Sequence, residues 1–134
     1  MVKTLGLNAE LLKEKNIAVA VSGGRDSMAL LHLFSKSNLS FFAVNIEHGI
    51  RGEESLRDSK FVADFCQENG ILIKSFSVDA PAYANQNHMT LEQSARELRY
   101  QIFDILLSSN ECDLIALAHH LDDQAETVLM RILR

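Results

Sequence analysis

Four short apolar segments recur along the chain and alternate with longer segments of helical periodicity. The apolar segments are Ile17–Val21, Phe41–Ile46, Ile71–Val78 and Asp113–Ala118. Strands that alternate with helices are joined by right-handed crossovers and lie parallel in one sheet. The pattern therefore predicts an α/β fold built on a doubly wound parallel sheet.

Two helices are predicted in the first half of the chain. One begins near Asp26, and its apolar positions are dense enough for a helix packed closely on a sheet. The other begins near Ser55 and ends at Gly70, with these side chains predicted to face inward: Phe61, Val62 and Phe65.

A third helix is predicted to open with the capping box Thr90-Leu-Glu-Gln93. Its inward face is predicted to consist of Leu91, Ala95, Leu98, Ile102 and Ile105. Arg96 and Arg99 fall on its more polar side, where arginines are usually solvated.

A last helix is predicted to start near Asp122 and to continue through Thr127–Arg134. This apolar run has no Gly, Asn or Pro to end it, so we expect residues 1–134 to be the front part of a longer protein whose sheet has a further strand. Its uncovered apolar side chains favour self-association, and hence a homo-oligomer.

Charge and cysteine content exclude several classes of protein. The net charge of −5 argues against a broad basic face for nucleic acid, so we expect the main RNA-binding surface to lie outside this chain. Cys66 and Cys112 form no Cys-x-x-Cys, which leaves a disulfide framework, a zinc ribbon and an iron–sulfur site unsupported. No secretory signal or membrane-spanning run is present, and we expect a cytoplasmic protein.

The loop Ser22-Gly-Gly-Arg-Asp-Ser27 joins the first strand to the first helix. Its two glycines allow the backbone to approach an anion, and the helix N-terminus adds partial positive charge. These features predict a phosphate site. Asp26 would repel a phosphate unless Mg²⁺ lay between them. The alternative is a plain turn in which Ser22 or Asp26 caps the helix.

The block His119-His-Leu-Asp-Asp-Gln-Ala-Glu126 offers a second group of polar side chains. In a helix that starts early enough, His119, Asp123 and Glu126 would share one face and could position Mg²⁺ or a reacting group. A metal phosphohydrolase can carry a similar block. Alternatively, Asp122 and Asp123 complement the helix N-terminus only.

The Ser22–Ser27 loop after a strand resembles the PP-loop of ATP pyrophosphatases, which cut ATP to AMP and pyrophosphate. Three further motifs resemble the tRNA(Ile)-lysidine synthetase family of that group: Glu47-His-Gly-Ile-Arg-Gly-Glu-Glu-Ser55, Glu92-Gln-Ser-Ala-Arg-Glu-Leu-Arg-Tyr100 and Ala118-His-His-Leu-Asp-Asp-Gln-Ala-Glu-Thr127. The PP-loop tRNA thiolation enzymes share the His-His-x-Asp-Asp block but carry a Cys-x-x-Cys. The lysidine family usually has a histidine where Asn45 stands.

The resemblance implies that residues 1–134 are an N-terminal PP-loop ATP-binding catalytic domain that uses ATP and Mg²⁺. It implies that tRNA(Ile) and free L-lysine are substrates, and that the wobble cytidine becomes lysidine. The alternatives are a PP-loop tRNA thiolation enzyme, another PP-loop synthetase or a non-catalytic ATP-binding module.

The residues carried over by the resemblance fall into three overlapping groups. The nucleotide-binding group is Ser22, Gly23, Gly24, Arg25, Asp26, Ser27 and His48, although His48 can also be a polar loop residue. The metal-binding group is Asp26 and Asp123. The catalytic group is Asp26, Arg96, His119 and Asp123, with Arg96 directed at the polyphosphate or the target nucleotide.

Overall fold

The chain forms a mixed six-stranded sheet with helices on both faces. The structure is a computed structural model that describes residues 2–4, 13–22, 24–49, 53–120 and 128–133. In chain order the elements are β1 (Val2–Thr4), β2 (Asn16–Ala20), α1 (Arg25–Ser35), β3 (Ser40–Glu47), α2 (Glu53–Glu68), β4 (Ile73–Ser77), α3 (Ala80–Asn87), α4 (Leu91–Ser108), β5 (Leu114–His120) and β6 (Val128–Leu133). The strand order is β1-β6-β5-β2-β3-β4.

The four strands predicted from the sequence form the centre of the sheet. β2 pairs in parallel with β3 on one edge and with β5 on the other, and β3 pairs in parallel with β4. Parallel pairing brings the carboxyl ends of β2, β3 and β5 to the same edge of the sheet. The predicted doubly wound α/β fold is confirmed.

Strand β2 is buried on both faces, and its alternate residues face two separate cores. Ile17 and Val19 pack with α1 and α2, whereas Ala18 packs with α4 on the opposite face. A strand covered on both sides needs a continuous apolar run rather than an alternating one. The uninterrupted Ile-Ala-Val-Ala sequence of β2 is therefore the direct cause of its central place.

The inward faces of two helices differ from the prediction. In α2 the buried side chains are Val62 and Cys66, while Phe61 is 56% exposed. In α4 the sheet covers the face of Ile102, Phe103 and Leu106, and Ile105 is 61% exposed. Each of these helices has two adjacent apolar stripes, and only contact with the sheet decides which one is buried.

Helix α3 was not predicted from the sequence, although its start has a recognisable signal. Asp79 caps it by accepting a hydrogen bond from the Ala82 N–H at 3.0 Å, and a proline lies in its first turn. The predicted capping box of α4 is confirmed: Gln93 N–H donates to Thr90 Oγ1 at 3.1 Å, and Thr90 N–H donates to Gln93 Oε1 at 3.2 Å.

The prediction of a helix across Thr127–Arg134 is wrong for its described part. Residues Val128–Leu133 form strand β6, which pairs antiparallel with β5 and parallel with β1. Periodicity cannot distinguish a short, fully apolar strand from a buried helix. The backbone donors and acceptors of β1 and β5 decide between them here.

Two further observations concern burial. Both cysteines are free and buried, as expected, and burial raises the pKa of each thiol. Among the helices in the described ranges, none is both long enough and apolar enough to cross a membrane.

We expect Leu30→Ala to lower the free energy of unfolding by about 2–5 kcal/mol, because Leu30 is fully buried between α1 and the sheet. Leu33 lies on the same helix but is 48% exposed, so Leu33→Ala should change this free energy by less than about 1 kcal/mol. Urea denaturation of both variants measures the contrast. Equal losses would contradict the assignment of the core face.

Candidate functional site

A cavity of about 490 Å³ lies at the carboxyl ends of β2, β3 and β5. Small-molecule sites usually have volumes of about 300–1,000 Å³, and in parallel sheets they occupy this edge. The lining residues are Ala20, Val21, Ser22, Gly24, Arg25, Asp26, Ser27, Val44, Ile46, His48, Arg99, Phe103, Leu117 and Ala118. One end is thus polar and includes the start of α1, and the strand residues and Phe103 supply an apolar wall.

The loop that borders the polar end is held by its own hydroxyl groups. Ser22 N–H donates to Ser27 Oγ at 3.1 Å, and the Ser27 hydroxyl donates to the Gly24 carbonyl at 3.1 Å. The Ser22 and Ser27 hydroxyls also contact each other at 3.1 Å, and Gly24 N–H donates to Ser22 Oγ at 3.3 Å. The hydroxyls therefore shape the loop, and the Ser27 hydroxyl must turn before it can donate to a ligand.

Helix α1 begins at the cavity without a side-chain cap. Its N-cap residue is Gly24, in an extended conformation, and no side chain of the loop caps the helix end. The alternative in which Ser22 or Asp26 caps the helix is therefore wrong. The first helical hydrogen bond runs from Met28 N–H to the Gly24 carbonyl at 2.9 Å, so the N–H groups before Met28 lie at the open end of the helix. Uncapped N–H groups and the helix dipole favour an anion.

Asp26 and Arg25 bring opposite charges to the same end of the cavity. The described part of the chain contains no cluster of three His, Cys, Asp or Glu residues that could hold a metal ion. Mg²⁺ is often bound by one or two carboxylates together with substrate phosphates. Asp26 fits that arrangement as a single carboxylate beside the phosphate loop.

His48 lies between β3 and α4, where its ring lines the cavity beside Arg99. Its Nε2 atom is buried and has no hydrogen-bond partner among the described residues. Burial lowers the pKa of His48 below its usual value, and the positive charge of Arg99 lowers it further. The charge of Glu47 and a hydrogen bond to the Ala95 backbone act in the opposite direction. The net shift favours the neutral ring, so Nε2 is a polar atom available to a ligand.

Arg99 belongs to the cavity, although the sequence placed it on the polar side of its helix. The missed signal is its spacing of four residues from Phe103, which is buried against the sheet. A guanidinium beside an apolar wall combines charge with planar contact, which suits a nucleotide.

Arg96 does not line this cavity but a neighbouring open groove of about 510 Å³. The groove is formed by α4 and the end of α3, and it is lined by Met89, Gln93, Arg96, Glu97 and Tyr100. The Arg96 guanidinium lies 5.4 Å from the centre of the Tyr100 ring, and that of Arg99 lies 5.7 Å from it. Tyr100 therefore contacts one arginine of the cavity and one of the groove. No carboxylate of the described residues forms an ion pair with Arg96.

The remaining predicted residues lie at or beyond the end of β5. His119 is within this strand, in register with Leu129, so the helical alignment of His119 with Asp123 and Glu126 is wrong. The backbone of His119 directly follows Leu117 and Ala118, which line the cavity. Gly23 and Asp123 lie outside the described residues.

Comparisons with known proteins agree with this geometry. Residues 2–134 match the family described as the PP-loop domain. The chain is 40% identical over 119 residues to the tRNA(Ile)-lysidine synthase of Bacillus licheniformis, which covers 87% of this chain and 25% of that protein. It is 42% identical over 130 residues to the enzyme of the same name from Oceanobacillus iheyensis, which covers 93% of this chain and 28% of that protein.

The chain thus spans little more than a quarter of the length of these relatives. A similar fold occurs in the U34-tRNA thiolase NcsA of Methanococcus maripaludis, solved with its 4Fe–4S cluster. The TM-score is 0.72 at 24% identity, over 87% of this chain and 43% of that one.

The lowered pKa of His48 predicts a dependence of stability on pH. In the unfolded chain this histidine binds a proton near its ordinary pKa of 6.5, but the folded protein resists protonation until lower pH. The contribution of His48 is therefore present above pH 6.5 and is lost as the pH falls through the folded pKa.

Urea denaturation of the wild type and His48→Gln between pH 5 and 7.5 measures this contribution. We expect the free energy of unfolding of the wild type to fall more steeply below pH 6.5 than that of the variant. Parallel curves would show that the His48 pKa is not lowered.

Proposed function

Because this chain belongs to the PP-loop family, we propose that its strand-end cavity binds ATP for the modification of a tRNA. The observation that carries the proposal is the meeting of the cavity with the uncapped start of α1. In this arrangement the N–H groups at the helix start bind phosphate oxygens. The apolar wall of Val44, Ile46 and Phe103 holds the adenine ring.

The finer proposal is tRNA(Ile)-lysidine synthesis in the cytoplasm. The relatives that carry this name support it, and so do the four motifs in their order along the chain. In the first step, the C2 oxygen of the wobble cytidine attacks the α-phosphorus of ATP, and pyrophosphate leaves. In the second step, the ε-amine of free L-lysine attacks C2, AMP leaves with the C2 oxygen, and the amine loses a proton.

The residues of the cavity have distinct roles in this proposal. Ser22, Gly24 and Ser27 form the phosphate loop with Gly23, and Arg25 adds positive charge at its rim. Mg²⁺, held by Asp26 and by Asp123, would neutralise the phosphate charge and make pyrophosphate a better leaving group. His48 and Arg99 contact the nucleotide from the opposite side of the cavity.

Arg96 and the groove beside Tyr100 are proposed to receive the target nucleotide. A base taken out of its stack binds well against an aromatic ring or a guanidinium plane. The groove offers both, and it joins the cavity through Tyr100. We further propose that His119 acts on the reacting groups from the end of β5.

The position of the cysteines weighs against a thiolation enzyme. The chain has only two cysteines, and they lie in the cores on opposite faces of the sheet. They therefore cannot together bind one iron–sulfur cluster at the cavity. The other alternative, a non-catalytic ATP-binding module, is excluded only by turnover.

We expect Gly24→Val to abolish ATP–Mg²⁺ binding and to preserve the fold. The backbone of Gly24 is extended, and an added Cβ would meet only the Ser22 Oγ, at an ordinary contact distance of 3.4 Å. The branched side chain would nevertheless cover the N–H groups at the start of α1. Isothermal titration measures binding, and circular dichroism measures folding.

Ala29→Val is the matched control, because it adds the same atoms at an exposed position of the same helix. It should bind ATP as the wild type does. Unchanged ATP affinity in Gly24→Val would sink the assignment of the cavity.

The reaction is tested with the protein in its full natural length, ATP, L-lysine and a tRNA(Ile) transcript. Mass spectrometry detects lysidine, and AMP and pyrophosphate are measured in parallel. We expect Arg96→Ala to lower kcat/KM for the tRNA by about tenfold or more, since stacking contributes about 1–3 kcal/mol per base. ATP affinity should not change, because Arg96 does not line the ATP cavity.

Arg57→Ala is the control for charge, since Arg57 is an exposed arginine of α2 outside the groove. Equal effects of the two substitutions would refute the role of the groove. Absence of AMP release would support a non-catalytic module, and transfer of labelled sulfur would support a thiolation enzyme.

A further inference from the structure

Asn45 is a buried polar residue on strand β3 that touches no proposed ligand. It is 3% exposed, and both ends of its amide are hydrogen-bonded. Its Nδ2 donates to the Val21 carbonyl at 2.9 Å, and its Oδ1 accepts from the Ser59 hydroxyl at 3.0 Å. A buried amide without partners is costly, so a residue of this kind is held in one orientation.

The Val21 carbonyl is the last backbone acceptor before the phosphate loop. The register between β2 and β3 ends at the pair Ala20 and Val44, and Val21 N–H still donates to the Val44 carbonyl at 2.8 Å. Beyond that bond the chain turns away from the sheet toward Ser22. The Asn45 side chain thus holds the Val21 carbonyl at the point where the chain leaves the ladder.

Ser59 of α2 fixes the orientation of the Asn45 amide from the other side. A carbonyl can only accept a hydrogen bond, so the amide nitrogen must face Val21 and its oxygen must face Ser59. The amide therefore connects the end of β2, strand β3 and helix α2. The family that the motifs resemble usually has histidine at this position, and an imidazole N–H can donate to the same carbonyl.

We propose that Asn45 is a positioning residue that sets the direction in which the chain leaves β2, and thereby the placement of the Ser22–Ser27 loop at the cavity. This inference rests on the proposed function, because the placement matters only if the loop binds ATP phosphates. Asn45 acts through the Val21 carbonyl and makes no contact with the nucleotide.

The test compares two substitutions that each break one hydrogen bond of the amide. Asn45→Leu removes the donor to Val21, and we expect the Kd for ATP–Mg²⁺ to rise on the order of tenfold, which corresponds to about 1.4 kcal/mol. Ser59→Ala keeps that donor and removes only the bond to Oδ1. It should change the Kd by less than about threefold, even if both substitutions lower the melting temperature.

Two further variants separate positioning from general stability. Asn45→His restores a donor to the Val21 carbonyl and should return the Kd to near that of the wild type. Asn45→Ser leaves a polar group too short to reach Val21. It should raise the Kd as Asn45→Leu does, and it serves if the leucine variant does not fold.

Hydrogen exchange in the absence of ATP gives an independent readout. The amides of Ser22 and Gly24 should exchange faster in Asn45→Leu and Asn45→Ser, but not in Ser59→Ala, because their hydrogen bonds lie within the displaced loop. Unchanged exchange and unchanged ATP affinity would overturn the role of Asn45. Failure of the wild type to bind ATP would instead overturn the proposed function, and the exchange experiment would still decide whether Asn45 positions the loop.

Discussion

The central strand β2 is the constraint on which the other features of this protein depend. It is paired on both edges and covered on both faces, so its chain can leave the sheet only at its carboxyl end. There the neighbouring strands β3 and β5 also end, and their last residues form the walls of a cavity. The loop and helix that follow β2 are therefore forced to begin at a ligand-sized space, in a position where open N–H groups favour an anion.

The site is assembled from three layers of the fold that meet at this edge. The sheet provides an apolar wall, α1 provides the anion-binding helix start, and α4 approaches from the opposite face with Arg99 and Phe103. Only the α4 layer links the cavity to a second groove, through the contacts of Tyr100 with two arginines. A reaction between a nucleotide and a second, larger substrate needs two adjoining spaces of this kind.

The polar groups inside this arrangement are few and are mostly satisfied by short local contacts. The Ser22 and Ser27 hydroxyls hold the loop, and Asn45 holds the carbonyl that precedes it. His48 differs, because its Nε2 has no partner among the described residues and burial favours the neutral ring. A preformed loop beside an unsatisfied ring nitrogen is the arrangement expected of a site that binds a ligand without extensive reorganisation.

The sequence by itself determined the class of fold, the four central strands, the phosphate loop and the capping box of α4, because these depend on local composition and spacing. It did not determine which stripe of α2 or α4 is buried, that α3 forms, or that Val128–Leu133 is a strand. Nor did it separate Arg99 from Arg96, although the two lie only one helical turn apart. Those outcomes required the tertiary structure, because an apolar run or a polar helix face is compatible with several neighbours. Only the sheet edge, its free backbone groups and the approach of α4 select among them.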